Sequence, residues 1–363
     1  MPASVREIEE RDLEEISGLI ARVFDRPAPA DGAARLRWLL FENPDARGGM
    51  ARGWALEDGG VLVGFLANVA RRMSAAGRDV LAACTAKYVV LPSYRVQGLL
   101  LARAYFEQTG VDLLFCSTGS QSSAPVLKRF GAVEIAGGDA AALFVLRGAP
   151  VVSELMKRHG YEGALARLVS GGVGAALTLV ERVRCSPPGP RPDVRVELLD
   201  RFDARMDEMW ERAEGGRITS RRDARRMQWL YFEGPASRPD TLVFGAFRGQ
   251  QLVGCLVCQD RAQTRGVRRR EVMDLFTAPE DLDAFDALVA QALSRAEADG
   301  MDTLEFRSLP ERWMERLTSW GARRRRLEVN PFLVKTLNPE LLLPAGEADQ
   351  WHLSPGDGDG AAW

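Results

Sequence analysis

The chain has 363 residues, of which 46% are hydrophobic and 27% are charged. This balance excludes disordered and collagen-like chains, and the length exceeds the roughly 100 to 200 residues of one ordinary domain. Because 48 lysines and arginines nearly balance 50 acidic residues, for a net charge of −2, the overall charge predicts neither a nucleic acid nor another polyanion as a partner.

The cysteines and the apolar stretches indicate the cellular compartment of the protein and whether a membrane anchors it. An odd number of scattered cysteines does not indicate a disulfide framework, so we expect a cytoplasmic protein. Cys255 and Cys258 form a CxxC inside an apolar run with no histidine nearby, which predicts core thiols and no metal. Met1–Glu15 lacks the apolar core of a secretory signal.

The longest apolar stretch, Ala164–Val180, contains Arg167 and three glycines and falls short of the roughly 20 residues of a membrane-spanning helix. It predicts an interdomain helix and no transmembrane segment. Weak association with a membrane surface is the alternative.

The sequence contains an internal repeat, whose segments recur in the same order in the second half. Arg35–Pro44 has the sequence RLRWLLFENP, and Arg226–Pro235 has the sequence RMQWLYFEGP. Three more landmarks recur at nearly the same offset: Leu62–Leu66 with Leu252–Leu256, Val89–Pro92 with Phe276–Pro279, and Phe130–Ala132 with Trp320–Ala322. The pattern predicts a tandem duplication.

In each half, the periodicities predict the order β-α-α-β-β-β-α-β-α, and hence the α/β class with a mixed α+β sheet. The segment Pro187–Pro192 is a stiff, proline-rich linker. We therefore expect an N-terminal domain at 1–150, an interdomain helix and linker at 151–192, a C-terminal domain at 193–340 and a tail at 341–363.

One turn in the first half has the features of an anion site. The strand Tyr88–Leu91 leads through a turn with Arg95 and Gly98 into a helix, and no acidic residue occurs between positions 84 and 106. N–H groups at a helix start favour phosphate or pyrophosphate. Arg95 adds a positive charge, and Gly98 is expected to let the backbone approach the anion closely.

This turn resembles motif A of the GNAT (GCN5-related N-acetyltransferase) superfamily, Arg/Gln-x-x-Gly-x-Gly/Ala, which binds acyl-coenzyme A. The repeat extends the likeness over nearly the whole chain. Trp38–Pro44, Trp351 and Gly356–Asp359 are similar to segments of tandem-GNAT proteins from bacterial surface-polysaccharide clusters. The resemblance implies two tandem GNAT-like acyl-CoA N-acyltransferase domains that use acetyl-CoA or another acyl-CoA.

The resemblance assigns acyl-CoA binding to nine residues: Val89, Val90, Leu91, Arg95, Val96, Gln97, Gly98, Leu99 and Leu100. It also implies that a backbone N–H near Val90 or Leu91 is the oxyanion donor. Leu100 departs from the pattern, which has Gly or Ala there.

Catalytic residues are harder to assign. GNAT domains typically carry an Asn and then a Tyr general acid in the last short helix, where this chain has Ser120 and Leu127. The proton is therefore expected from Tyr88, from water, or not at all. Glu42 is the candidate general base, although its repeat at Glu233 leaves a structural role open. The candidate catalytic residues are thus Tyr88, Glu42 and Ser120.

The second half lacks these features. Thr277–Glu280 predicts a capping box, and Glu280, Asp281 and Asp283 place carboxylates where pyrophosphate would bind, so only the N-terminal half is expected to hold acyl-CoA. Asp274, Glu305 and Arg307 lie on predicted central strands. They predict either a structural ion pair or a substrate-binding pocket for a cationic or hydroxyl-rich acceptor.

The sequence as a whole predicts an acyltransferase, specifically an N-acetyltransferase, that acts on a small-molecule or glycan amine such as an amino sugar. A Fem-type aminoacyl transferase and a non-catalytic GNAT-like binding protein are the alternatives. We expect a monomer with two similar halves or a homodimer. His159, His352 and the basic runs Arg265–Arg270 and Arg323–Arg326 are expected to be solvated.

Overall fold

The computed structural model describes residues 3–46, 48–75, 77–117, 123–135, 137–189, 191–213, 217–235, 237–264, 266–278, 281–327, 332–341 and 347–358. In the first half the elements are β1 (Ser4–Glu7), α1 (Leu13–Val23), α2 (Gly32–Leu40), β2 (Gly53–Asp58), β3 (Val61–Ala75), β4 (Arg78–Val90), α3 (Leu99–Glu107), β5 (Leu113–Cys116), α4 (Ala124–Arg129), β6 (Val133–Glu134) and β7 (Ala140–Val145). Two helices follow, α5 (Gly148–Arg158) and α6 (Ala164–Arg184).

The second half contains β8 (Arg195–Leu199), α7 (Ala204–Ala213), β9 (Ile218–Ser220), α8 (Ala224–Tyr231), β10 (Leu242–Arg248), β11 (Gln251–Thr264), β12 (Val267–Thr277), α9 (Leu282–Ala298), β13 (Thr303–Arg307), α10 (Glu311–Ser319), β14 (Arg323–Arg326), β15 (Leu333–Thr336) and β16 (Trp351–His352). The predicted order of elements is present in both halves. The strands that end each half, and β9, were not predicted.

The chain forms two compact units. The first unit comprises Met1–Asp139, Gly216–Ser237 and Glu328–Trp363, and the second comprises Ala140–Gly215 and Arg238–Leu327. The sheet of the first unit has the strand order β1-β2-β3-β4-β5-β15-β6, with β9 paired to both β3 and β16. The sheet of the second unit has the order β8-β10-β11-β12-β13-β7-β14.

The units depart from the linear boundaries predicted at 150 and 193. In the first unit, β15 comes from the second half of the sequence and pairs with β5 and β6. In the second unit, β7 comes from the first half and pairs with β13 and β14. Alternating apolar residues predict that a strand forms but not which sheet it joins, so the sequence pattern could not place these two strands.

Both copies of the repeated tryptophan segment belong to the first unit. Trp38 on α2 and Trp229 on α8 stack with ring centroids 4.2 Å apart and an interplanar angle of 20°. Gly234 follows α8 with φ of 71°, and a Cβ there would lie 2.3 Å from Cδ1 of Trp38. The repeated segment therefore builds the core of this unit.

Candidate functional site

In the first unit the sheet opens at the ends of two parallel strands. β4 pairs with β5 only from Ala82 to Cys84, and β4 then continues to Val90, whereas β5 ends at Cys116. Ligands of open α/β sheets bind outside the carboxyl ends of such strands. This opening lies next to the turn that the sequence singles out.

A bulge shapes the end of β4. Phe65 pairs with Val89 and Ala67 pairs with Ala86, so β4 has one more residue here than β3, and Lys87 has φ of 48°. Beyond the bulge, the N–H of Leu91 donates to the carbonyl of Val63 at 2.9 Å. Because N–H directions alternate along an antiparallel pair, the N–H of Val90 points away from β3, towards the opening.

The turn Arg95–Gly98 connects β4 to α3 and presents backbone donors. The N–H of Gly98 donates to Tyr94 O at 2.9 Å, and that of Leu100 donates to Gln97 O at 2.9 Å. Within the described chain, the N–H groups of Val96 and Gln97 have no acceptor. The exposed guanidinium of Arg95 forms no ion pair with a described residue. Consecutive free N–H groups beside a cation form an anion-binding concavity.

Gly98 is required for a reason other than the one expected. Its φ of −54° suits any residue, and it is buried rather than open to an anion. A Cβ at this position would lie 2.9 Å from Cγ2 of Val90 and 3.2 Å from Arg95 O. Glycine here therefore allows the turn to pack against the end of β4.

Tyr88 holds the same turn from β4. Its hydroxyl donates to the carbonyl of Gly98 at 2.7 Å, and burial raises the pKa of Tyr88 to about 12. This hydrogen bond lets Tyr88 position the turn, and its role as the proton donor stays a prediction.

Replacement of Tyr88 by Phe tests this role. We expect a loss of about 1 kcal/mol in the free energy of unfolding, because one neutral hydrogen bond is removed. If the protein turns over acyl-CoA, the shape of its pH–rate profile should not change, as measured by thiol release. A fall in turnover of about 100-fold or more, with loss of the basic limb of the profile, would instead identify Tyr88 as the acid.

The other residues assigned to acyl-CoA lie along the same continuous segment. Val89 is buried in the sheet, so only its backbone can serve a ligand. Val96, Leu99 and Leu100 are exposed to 79%, 45% and 40%. Leu100 also lines a groove of about 400 Å³ together with Trp54 and Ala104. The turn thus combines free N–H groups and a cation with exposed apolar side chains.

Glu42 follows α2 and has an exposed side chain. Among the described residues, no hydrogen bond or ion pair joins it to the Arg95–Gly98 turn. The adjacent Asn43 is buried, donates to Ala70 O at 3.0 Å and accepts the N–H of Asp45 at 3.0 Å. The segment around Glu42 is therefore structural, while its carboxylate faces solvent. Ser120 lies outside the described residues, and Leu127 is buried in the core.

Sequence reasoning missed a buried cluster that holds the C-terminal segment. Arg71 on β3 donates through Nε to Asp357 O at 3.0 Å and through Nη2 to Gly358 O at 2.9 Å. Arg222 pairs with the carboxylate of Asp357 at 3.0 Å, and both side chains are almost fully buried. Burial and the nearby cation of Arg226 lower the pKa of Arg71 to about 10.

This cluster places the C-terminal segment beside the opening. Gly358 packs so closely on Ser117, which directly follows β5, that a Cβ would lie 1.6 Å from Ser117 Oγ. His352 is only 1% exposed, which corrects the expectation that it is solvated. The available signal was the pair of apolar residues Trp351 and Leu353 within a polar tail; both are buried.

Two buried hydroxyls mark the place where β4 and β5 separate. Thr85 follows Cys84, the last residue of β4 that pairs with β5, and Ser117 follows the end of β5. Both side chains are less than 9% exposed, and neither Oγ1 of Thr85 nor Oγ of Ser117 has a hydrogen-bond partner in the described chain. Hydroxyls without a partner in the protein are compatible with a polar ligand.

The equivalent turn of the second unit differs. α9 is capped by Asp281, whose carboxylate accepts the N–H of Ala284 at 3.0 Å and pairs with Arg248 at 2.8 Å. The hydroxyl of Thr277 instead donates to Ala278 O at 3.1 Å, so Thr277 is not the predicted cap; Glu280 lies outside the described residues. The helix start in this unit is thus occupied by its own carboxylate.

The charges predicted on the central strands of the second unit lie in β12 and β13. Glu305 is buried and accepts from Arg307 at 3.0 Å and from Arg325 at 2.6 Å, while Arg307 also pairs with Glu271 at 3.0 Å. Burial would raise the pKa of Glu305, but the two arginines outweigh it and hold this pKa below its usual range. Glu305 and Arg307 therefore form an ion pair, which is the first of the two predicted alternatives. Asp274 is buried on β12.

The Glu305 network predicts a pH-dependent stability. Because the folded pKa is lowered, this carboxylate stabilises the protein above its unfolded pKa of about 4.3, and the contribution is lost as the pH falls through the folded value. Glu305→Gln should cost about 2 kcal/mol at pH 7 and less at pH 3.5. Urea unfolding at both pH values measures the difference, and an equal cost at both would contradict it.

No group of three or more possible metal ligands occurs among the described residues. Cys255 and Cys258 are both buried on β11, and burial raises the pKa of the Cys258 thiol to about 12. Of the helices described, none is both long and apolar enough to cross a bilayer.

Comparisons with known proteins bear on the fold. No family model matches the sequence, and no curated protein matches it. Among solved structures, a GCN5-related N-acetyltransferase from Anabaena variabilis is similar, with a TM-score of 0.62, 10% identity, and coverage of 95% of this chain and 75% of that chain. A GCN5-related N-acetyltransferase from Kribbella flavida is also similar, with a TM-score of 0.58, 18% identity, and coverage of 95% of this chain and 74% of that chain.

A third structure, N-myristoyltransferase from Saccharomyces cerevisiae with bound myristoyl-CoA, gives a TM-score of 0.52 at 11% identity and covers 97% of this chain and 90% of that chain. At these identities the likeness concerns the fold. The two mixed sheets and the match over most of the chain show that this protein has the fold of the GCN5-related N-acetyltransferases, consistent with two GNAT-like domains.

Proposed function

We propose that the protein is an acyltransferase that moves an acyl group from acyl-CoA, such as acetyl-CoA, to an amine. The observation that carries this proposal is the Arg95–Gly98 turn at the open end of β4 and β5, where two N–H groups and the guanidinium of Arg95 have no partner among the described residues. Its donors and charge fit a pyrophosphate. Arg95 and the N–H groups of Val96 and Gln97 would hold it.

Acyl-CoA would supply the activated thioester, and the residues of the opening would organise the reaction. The N–H of Val90 is the proposed backbone donor to the acyl oxygen, since it points into the opening. The free hydroxyls of Thr85 and Ser117 are proposed to bind polar groups of the acceptor. Glu42 remains the proposed base, acting from an exposed position, and water is the proposed proton source, because Tyr88 is bonded to Gly98.

We propose that only the first unit binds acyl-CoA. In the second unit the carboxylate of Asp281 already accepts a helix-start N–H, and it would repel a pyrophosphate. Asp274, which is buried on β12, is the proposed acceptor residue of that unit.

The acceptor proposed is an amino sugar or a glycan precursor. This choice rests on the similarity of the Trp38–Pro44 and C-terminal segments to proteins of surface-polysaccharide clusters. Because Trp38 stacks on Trp229 in the core, the first of these segments supports the fold and does not itself indicate the substrate. A cytoplasmic location and a monomeric or homodimeric state belong to the same proposal.

Calorimetric and thermal titration with CoA and acetyl-CoA tests the proposal. At 100 times Kd, binding should stabilise the fold by roughly 2.7 kcal/mol. A panel of amino sugars and simple amines, with thiol release as the readout, then identifies the acceptor. Absence of any thermal shift and of any heat of binding would contradict acyl-CoA binding and reopen the Fem-type alternative, which aminoacyl-tRNA would test.

A second candidate is a non-catalytic acyl-CoA-binding protein. Leu127 is buried in the core near the position where GNAT domains carry the Tyr acid, and this observation favours it. Acetyl-CoA binding without thiol release for every amine tested would support this candidate.

A further inference from the structure

The outer side of α6 is apolar although it faces solvent. α6 is the longest described helix, and Leu168, Leu179 and Val183 on it are exposed to 76%, 65% and 79%. Val169, Val173 and Val180 are exposed beside them. Intervals of three, four, seven and eleven residues place these side chains on one face. We call this surface the outer face of α6.

Only a narrow strip along the inner side of α6 is buried. Ser170, Gly174 and Glu181 are buried there, and a Cβ on Gly174 would lie 2.2 Å from Cα of Ala149 on α5. The close approach of α5 and α6 thus covers one strip and leaves the outer face uncovered. Contiguous apolar surface of this kind marks an interaction site.

The exposed charges on α6 itself are positive. The exposed cations that flank the outer face on α6 and form no ion pair with a described residue are Arg182 and Arg184. The two acids within the helices are buried and neutralised: Glu181 accepts from Nε of Arg323 at 3.0 Å, and Glu154 accepts from Arg158 at 3.0 Å. The exposed acids nearby are Glu162, in the connection between α5 and α6, and Glu297 on α9, close to Cys185 at the end of α6.

We propose that the outer face of α6 docks on an anionic lipid surface, with the apolar side chains in the acyl boundary and the arginines at the headgroups. An apolar face between cations has the composition of an interfacial helix. A second copy of this chain fits less well, because pairing two outer faces would bring arginines together without acids on either face to neutralise them.

Vesicle flotation of the full chain tests this proposal. We expect binding to phosphatidylcholine vesicles with 30% phosphatidylglycerol and much weaker binding to pure phosphatidylcholine. Leu179→Glu should weaken binding at least about 10-fold, since it removes buried apolar area and adds an acid. Arg182→Gln/Arg184→Gln should weaken it roughly 25-fold on anionic vesicles alone. Leu198→Glu, at a residue 52% exposed on β8, is the matched control and should bind as the parent does.

Three outcomes overturn the proposal. The first is no binding to anionic vesicles by a chain whose thermal unfolding is cooperative. The second is equal binding by Leu179→Glu and Leu198→Glu. The third is a dimer in light scattering that Leu179→Glu dissociates while vesicles bind neither protein, which would make the outer face an interface between copies. None of these readouts depends on acyl-CoA, so they are independent of the proposed activity.

Discussion

Reversal of the charge at Arg95 is expected to abolish most of the affinity for CoA. In Arg95→Glu a charge-assisted hydrogen bond is lost and a carboxylate is added beside the free N–H groups of Val96 and Gln97. Together these changes should cost about 3 kcal/mol, or about 100-fold in Kd for CoA by calorimetry. The fold should be unaffected, because Arg95 is exposed and has no partner in the described chain.

Arg103→Glu is the matched control. Arg103 lies on α3, is exposed and, among the described residues, pairs with Glu107 one helical turn away, so the same charge reversal occurs on the helix that follows the Arg95–Gly98 turn. We expect a change of less than about 3-fold in the Kd for CoA, because exposed charges are screened by solvent and salt. Equal losses in both variants would indicate a general field effect and would remove the Arg95–Gly98 turn as the site.

Replacement of Arg222 by Met is expected to be the most destabilising single change in the first unit. The guanidinium pairs with Asp357 at 3.0 Å and donates to Ser220 O at 2.8 Å, with 1% and 3% of the paired side chains exposed. Removal of one partner leaves a buried carboxylate uncompensated, which costs about 3 to 5 kcal/mol. Urea denaturation measures this difference directly.

Two further variants separate the ion pair from a general loss of packing. Arg221→Met changes the preceding residue, whose side chain is partly exposed and pairs with Asp79 and Asp223, and should cost less than about 1 kcal/mol. Arg222→Met/Asp357→Asn should be more stable than Arg222→Met alone, because the orphaned charge is gone. A double variant no more stable than the single one would refute the ion-pair explanation.

Local patterns were sufficient for much of the fold. The periodicities predicted the order of helices and strands in each half, and the structure contains this order with added strands. The turn at Arg95–Gly98 could be found because Gly, Arg and the absence of acids are adjacent in sequence. Features of this kind depend on neighbours within a few residues, which one sequence displays.

Long-range pairing could not be predicted in the same way. Arg222 and Asp357 are far apart in sequence, and nothing local indicates that they meet in the core. The run Arg323–Arg326, expected in a solvated loop, forms β14, where Arg323 pairs with Glu181 and Arg325 pairs with Glu305. A row of arginines predicts exposure, and only the sheet shows which acids neutralise it.

The position of β15 has a consequence for synthesis of the chain on the ribosome. β15 lies between β5 and β6, which do not pair with each other. The first sheet is therefore incomplete until Leu333–Thr336 has been made. The nascent chain therefore carries an unpaired edge at β5 throughout synthesis of the second unit. Domains that follow one another in sequence can fold one after the other during translation, whereas the first unit is completed only after Leu333–Thr336, which follows the second unit, has been made.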